Sequence, residues 1–173
     1  MADLLIPQVI DDYRVYLDGE EVQGVTEVEL PTPQALVETI NGPGILGDVE
    51  VPTAHLEPMT LRIKFRGPST GAFKLAASGP LTLDVRAAAL VEDPSDATTR
   101  KAPLKVMMVV KRKTGGLGGV LTPSKAMDAD MEFAVHRYVA SWDGQEQIEI
   151  QPLARIFKVQ GEDMLAETNQ IIS

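Results

Sequence analysis

The feature that most constrains this chain is a hydrophobic period of two. Leu61-Arg62-Ile63-Lys64-Phe65-Arg66 alternates apolar and cationic side chains without a fault. Successive side chains of a strand point to opposite faces, so Leu61, Ile63 and Phe65 share a buried face and the three cations a wet one. Leu81, Leu83, Val85, Ala87 and Ala89 repeat the pattern against Thr82, Asp84 and Arg86, and Ile148 and Ile150 alternate with Gln147, Glu149 and Gln151. Residues 13–17 run into Asp18-Gly19, and residues 137–142 run into Asp143-Gly144. Asp-Gly accepts the positive φ angles of a type I′ turn, which predicts a hairpin near each end of the chain.

Residues 105–111 and 131–142 also favour strand, with apolar side chains on both faces. Such a strand is central to a packed core or lies on a surface that another subunit covers. Helices are expected to be few and short. Thr32 caps residues 33–40, where Pro33 suits the first position, Leu36, Val37 and Ile40 share a face and Asn41-Gly42 supplies a stop. Residues 69–77 are a second candidate, held by Phe73 and Ala76, and residues 163–171 a third, capped by Asp163. Stretches 41–58, 92–103 and 114–125 read as loops rich in Gly, Pro, Ser, Thr or Asp. Structureless loops beyond about 12 residues are uncommon in a compact domain and usually functional or disordered. There is no internal repeat, and Lys111-Arg112-Lys113 is the only block of like charge.

A chain of 173 residues, 44% hydrophobic and 24% charged, fits one folded domain spanning residues 1–173. The absence of cysteine excludes disulfides, thiolate nucleophiles and cysteine-ligated zinc, and two histidines leave little for a metal or catalytic centre. His55 and His136 lack metal-ligand spacing, the carboxylates Asp128, Asp130, Glu146 and Glu149 suit wet strand faces, and no serine sits in a nucleophile turn. Thr114-Gly115-Gly116-Leu117-Gly118-Gly119 lacks the Lys-Ser/Thr that a phosphate loop places at its helix start, and reads as a flexible connector. No catalytic, cofactor-binding or metal residue is assigned, and the chain is not expected to be an enzyme. The start, Met1-Ala2-Asp3-Leu4-Leu5-Ile6-Pro7, has no basic n-region and its apolar run stops at Pro7, so neither a secretory leader nor a membrane span is read there. The expectation is a soluble protein made in the cytosol. A formal net charge of −9 opposes tight binding to nucleic acid.

Taken in order, several segments resemble the major tail tube protein family of contractile-tailed bacteriophages. They are Val25-Thr26-Glu27-Val28-Glu29-Leu30-Pro31, then Glu38-Thr39-Ile40-Asn41-Gly42-Pro43-Gly44-Ile45-Leu46-Gly47-Asp48-Val49-Glu50-Val51, and the closing hairpin followed by Lys158-Val159-Gln160-Gly161-Glu162-Asp163. The resemblance implies a β-sandwich-like protomer with a flanking helix. It implies hexameric rings that stack into a tube inside a contractile sheath, their strands closing a ring-wide inner β-barrel. Implied partners are further copies of the chain, the tail sheath protein, and baseplate and terminator proteins, with DNA passing without tight binding. Synthesis in a bacterial host and residence in the virion tail follow, and related tubes serve phage-tail-like bacteriocins and secretion systems. By the same resemblance Gly42, Gly44, Ile45, Leu46 and Gly47 are assigned to a loop that contacts the next ring; packing of Ile45 and Leu46 into their own core is the alternative. The acidic excess is expected to make the channel non-adhesive for DNA, repelling phosphates within a Debye length of roughly 8 Å. A monomeric or dimeric β-barrel holding a small ligand is the competing reading, and an enzyme built on scattered carboxylates a third.

Overall fold

The computed structural model describes residues 5–173, so the reading of Met1 to Leu4 lies outside the described residues. The described chain is mainly antiparallel sheet. In order it forms β1 (Ile6–Leu17), β2 (Glu20–Glu21), β3 (Val25–Glu29), β4 (Ala35–Ile40), β5 (Val49–Leu56), β6 (Thr60–Phe65), α1 (Thr70–Leu75), β7 (Pro80–Glu92), β8 (Thr99–Thr114), β9 (Ala129–Trp142) and β10 (Gln145–Gln151). A 3-10 turn (Pro152–Ala154), β11 (Ile156–Val159), β12 (Glu162–Asp163) and α2 (Ala166–Ile172) complete it.

The main sheet runs β12-β11-β10-β9-β8-β7-β1-β2, with a branch in which β6 pairs both β9 and β3. β9 makes the branch possible. β8 lies along one edge of it, while the other edge bonds β6 through Ala129 to Ala134 and β10 through Tyr138 to Trp142. The two halves fold over one core, in which Val15, Leu83, Val85, Val106 and Met108 meet Leu61, Ile63 and Phe65 of β6. The alternation read in residues 61–65 is reproduced in full: the three apolar side chains are completely buried.

β9 looks apolar on both faces for a local reason. Val135 pairs Val110 and Arg137 pairs Val109, leaving His136 as an extra residue. A bulge of one residue flips the side-chain parity, so Phe133 and Val135 point inward before it and Tyr138 and Ala140 after it.

Both expected Asp-Gly hairpins form, with φ of 49° and 90° at Asp18 and Gly19 and 50° and 82° at Asp143 and Gly144. Gln160-Gly161 builds a third such turn between β11 and β12. The second expected helix also forms, with Ser69 Oγ accepting from the Ala72 amide as N-cap. It is held by Ala72 and Leu75, which are buried, with Ala76 packed against the core; Phe73, expected to hold it, faces outward instead.

Four expectations are corrected. Residues 33–40 form no Thr32-capped helix: residues 35–40 are β4, paired with β5 from Ala35–Leu56 to Ile40–Val49. So short a helix is marginal without packing, whereas Val37, Thr39 and Ile40 are β-branched and find a cross-strand ladder in β5. The loop read over 41–58 therefore shrinks to the β4–β5 tip. The loop read over 92–103 shrinks likewise, because β7 and β8 pair without a break from Pro80–Lys111 to Glu92–Thr99. Asp163 is not an N-cap but part of β12, its Oδ1 accepting from the Leu165 amide at 2.9 Å, and α2 begins at Ala166 without a side-chain cap. The loop read over 114–125 is confirmed: no helix or strand lies between β8 and β9.

Candidate assembly surfaces

β4 and β5 form a separate two-stranded sheet, an arm outside the main sheet. Paired residues of an antiparallel ladder share a face. Glu38–Val51 and Ile40–Val49 therefore lie on one side of the arm, and Val37–Pro52 and Thr39–Glu50 on the other. Leu36, Val37, Ile40, Val49 and Val51 are all exposed, although such residues normally seek cover. Contiguous exposed apolar surface marks an interaction site.

The five residues expected in a ring-contact loop occupy the arm's tip. Asn41 Nδ2 donates to Asp48 Oδ1 across its base at 3.2 Å, and the Ile45 amide donates to the Gly42 carbonyl at 3.1 Å. Gly42, Gly44 and Gly47 take φ of +147°, +92° and +99°, and nothing lies within 4 Å of where a Cβ would stand. These glycines shape a turn; within the subunit they admit no neighbour. Leu46 is 106% exposed and Ile45 40%, so neither side chain enters the subunit's own core.

The sheet also ends in open edges. β2 covers Tyr16 and Leu17 of β1, and the Val22 amide donates to the Val15 carbonyl, leaving residues 6–14 as an edge that carries exposed Ile6, Val9 and Ile10. Beside it, Ile10, Val28, Leu30 and Leu104 line an apolar groove that also takes in Tyr13. The Tyr13 hydroxyl is buried with no hydrogen-bond partner among the described residues. Burial, with Glu27 and Asp12 nearby, pushes its pKa above the usual tyrosine value.

The outward faces are laced with ion pairs. On β3, β6 and β9, Arg62 bonds Glu132 and reaches Glu29 and Asp130 within 4.0 Å, and Lys64 bonds Glu27 at 2.9 Å. The Arg62 hydrogen bond holds the Glu132 carboxyl below its ordinary range. On β7 to β11, Asp84 holds Arg86 and Lys105, and Glu149 holds Arg137 and Lys158. Arg86 also lies 4.5 Å above the Tyr16 ring.

None of this assembles into reaction chemistry. His55 lies exposed on β5 and His136 half-buried at the β9 bulge. Among the described residues no group of three His, Cys, Asp or Glu is placed to hold a metal. Among the described residues no helix is long and apolar enough to cross a membrane. The glycine segment 115–119 does not form a phosphate cradle. A Cβ on Gly119, whose φ is +134°, would stand 2.7 Å from the Met127 carbonyl, and one on Gly115 2.8 Å from that of Asp130. These glycines seat the loop against its own backbone and do not act as a loose connector, a role that residue type alone could not reveal.

The described residues thus form a filled β core with no metal-holding cluster among them, whose apolar surplus lies on an arm and an open strand edge. A search among curated proteins found no match. The family model for "Phage tail tube protein FII" matches residues 7–172, which spans nearly all of the described fold, and the chain accordingly belongs to the phage tail tube protein FII family, a structural and non-enzymatic component of the virion tail.

Proposed function

We propose that this tail tube protein forms hexameric rings stacked into the inner tube of a contractile tail, within a sheath and between baseplate and terminator proteins, as a conduit for DNA. The observation that carries this reading is the placement of exposed apolar side chains on the two elements left unpartnered in the subunit, the β1 edge and the β4–β5 arm. An open edge bearing Ile6, Val9 and Ile10 is an aggregation hazard unless another strand pairs it, and closing a ring removes the edge. Paired edges would merge the sheets of neighbouring subunits into one inner barrel. The arm supplies the second contact. Stacking is heterologous, one surface meeting a different one on the next copy, so it propagates into a filament.

Gly42, Gly44, Ile45, Leu46 and Gly47 are the stacking residues in this scheme. Replacing Ile45→Asp and Leu46→Asp together leaves a subunit with wild-type circular dichroism that forms no long tubes in negative-stain images. Normal tubes from this variant would overturn the assignment.

A further inference from the structure

The charge of this chain is segregated along its length. Residues 15–61 hold nine Asp and Glu and no Lys or Arg; outside them 16 acids face the 16 Lys and Arg, so this one segment carries the whole excess of −9. Residues 97–127 are the inverse, with seven Lys and Arg and no acid. The fold turns this segregation into geometry. The arm belongs to the acidic segment, and Glu38, Asp48 and Glu50 on it make no ion pair among the described residues. The loop between β8 and β9 follows Lys111-Arg112-Lys113 and belongs to the basic segment up to Met127, with Asp128 at its end as its one acid. It exposes Val120 and Leu121, 72% and 85% accessible, next to Lys125. The Arg66 carbonyl accepts the Met127 amide at 2.8 Å, which brings Arg66 to the same place. Arg66 and Lys125 are exposed and, like the arm's acids, have no ion-pair partner among the described residues.

Two surfaces of one molecule therefore combine exposed aliphatic side chains with unneutralised charge, of opposite sign. They are two different surfaces, the arm being rooted at one end of β6 and the basic loop seated at the other. The arm returns to the sheet just before Thr60, and Arg66 follows Phe65. Six residues at about 3.3 Å each put roughly 20 Å of sheet between the two. Complementary patches at opposite ends of a subunit join copies head to tail.

We infer that the arm of one subunit docks on the Arg66, Val120, Leu121 and Lys125 end of a subunit in the next ring, with Glu38 meeting the cations and Ile40, Val49 and Val51, which share its face, covering Val120 and Leu121, while Glu50 on the opposite face adds to the arm's negative charge. The inference rests on the stacking role of the arm and adds its receptor. Opposite charge sets polarity: an arm meeting an arm, or a basic end meeting a basic end, places like charges together.

The test is a charge exchange. One variant carries Glu38→Lys and Glu50→Lys, a second Arg66→Glu and Lys125→Glu, and a third all four substitutions. Folding is checked by circular dichroism, with glutamine versions of the pairs replacing any reversal that perturbs the fold. Each two-site variant should lose tube mass pelleted by ultracentrifugation by about tenfold or more, since like-charge juxtaposition is strongly penalised. The four-site variant should recover tubes and fail to extend wild-type ones. If the arm variant loses tubes while the Arg66/Lys125 variant assembles normally, the arm still stacks and the receptor is wrong. If both pairs fail and the four-site variant does not recover, the pairing is wrong. Normal tubes from both two-site variants also overturn it, and the Ile45/Leu46 variant then decides separately whether the arm stacks at all.

Discussion

At the scale of single residues, stability is set by the completely buried apolar set and by a few well-placed charges. Phe65, Phe133, Leu61 and Met131 meet no solvent. Their strand alternation was legible because it depends only on neighbours in sequence. The partner of Arg62 was not, since Glu132 stands 70 residues away and is found only through the β6–β9 ladder. That pair has a pH signature. Its hydrogen bond to Arg62 lowers the Glu132 pKa from its ordinary 4.5. A depressed carboxyl contributes stability that is present above the unfolded value and is lost as pH falls through the folded one. The unfolding temperature of the wild-type subunit should therefore exceed that of Glu132→Gln at neutral pH, and the gap should close as pH drops below about 4.5. A gap that stays constant into acid would show that the pair contributes nothing through ionisation.

At the scale of elements, the β4–β5 arm and the β8–β9 loop show where reading residues one by one stops. The spacing of Leu36, Val37 and Ile40 fits one face of a short helix, yet a ladder partner that begins at Val49, beyond the tip, makes the segment a strand. In the loop, the run of glycines looks like slack chain until the backbone contacts of Gly115 and Gly119 are seen. Gly119→Ala puts a methyl group into the Met127 carbonyl at a left-handed φ, and we expect it to cost about 1–3 kcal/mol, measured by urea unfolding of the unassembled subunit. Gly116→Ala, with nothing within 4 Å, is the internal control and should be within about 1 kcal/mol of wild type. Equal effects at the two positions would return the loop to the connector class.

At the scale of the whole molecule, the charge distribution bears on the proposed conduit. On the outward face of the long strands, Arg86, Lys105, Arg137 and Lys158 are each already engaged by Asp84 or Glu149, and Arg14 by Glu21 at 3.3 Å. A cation held by a carboxylate has less to offer a phosphate, and nonspecific DNA affinity depends on the number of phosphates neutralised. Assembled tubes should therefore show no measurable co-sedimentation with duplex DNA at physiological salt. Retention that weakens steeply as salt rises would mean that the tube grips the polymer it is proposed to pass.

The sequence by itself determined the β class, the inward face of β6, the Asp-Gly hairpins and a short helix within residues 69–77. The strands and hairpins follow from local rules: the pleat and the φ demanded by a turn. The order of segments also sufficed for the family resemblance. Only the tertiary structure decided that residues 35–40 are a strand, that His136 is the extra residue that flips β9, that one edge of β9 serves two partners, and that Ile45 and Leu46 stand outside the core. Those outcomes rest on hydrogen bonds and contacts between residues far apart in the chain. A strand has no internal hydrogen bonds, so its identity and register belong to the pair and not to the segment. The segregation of acid and base was present in the sequence throughout, but it acquired direction only when β6 set the two at opposite ends.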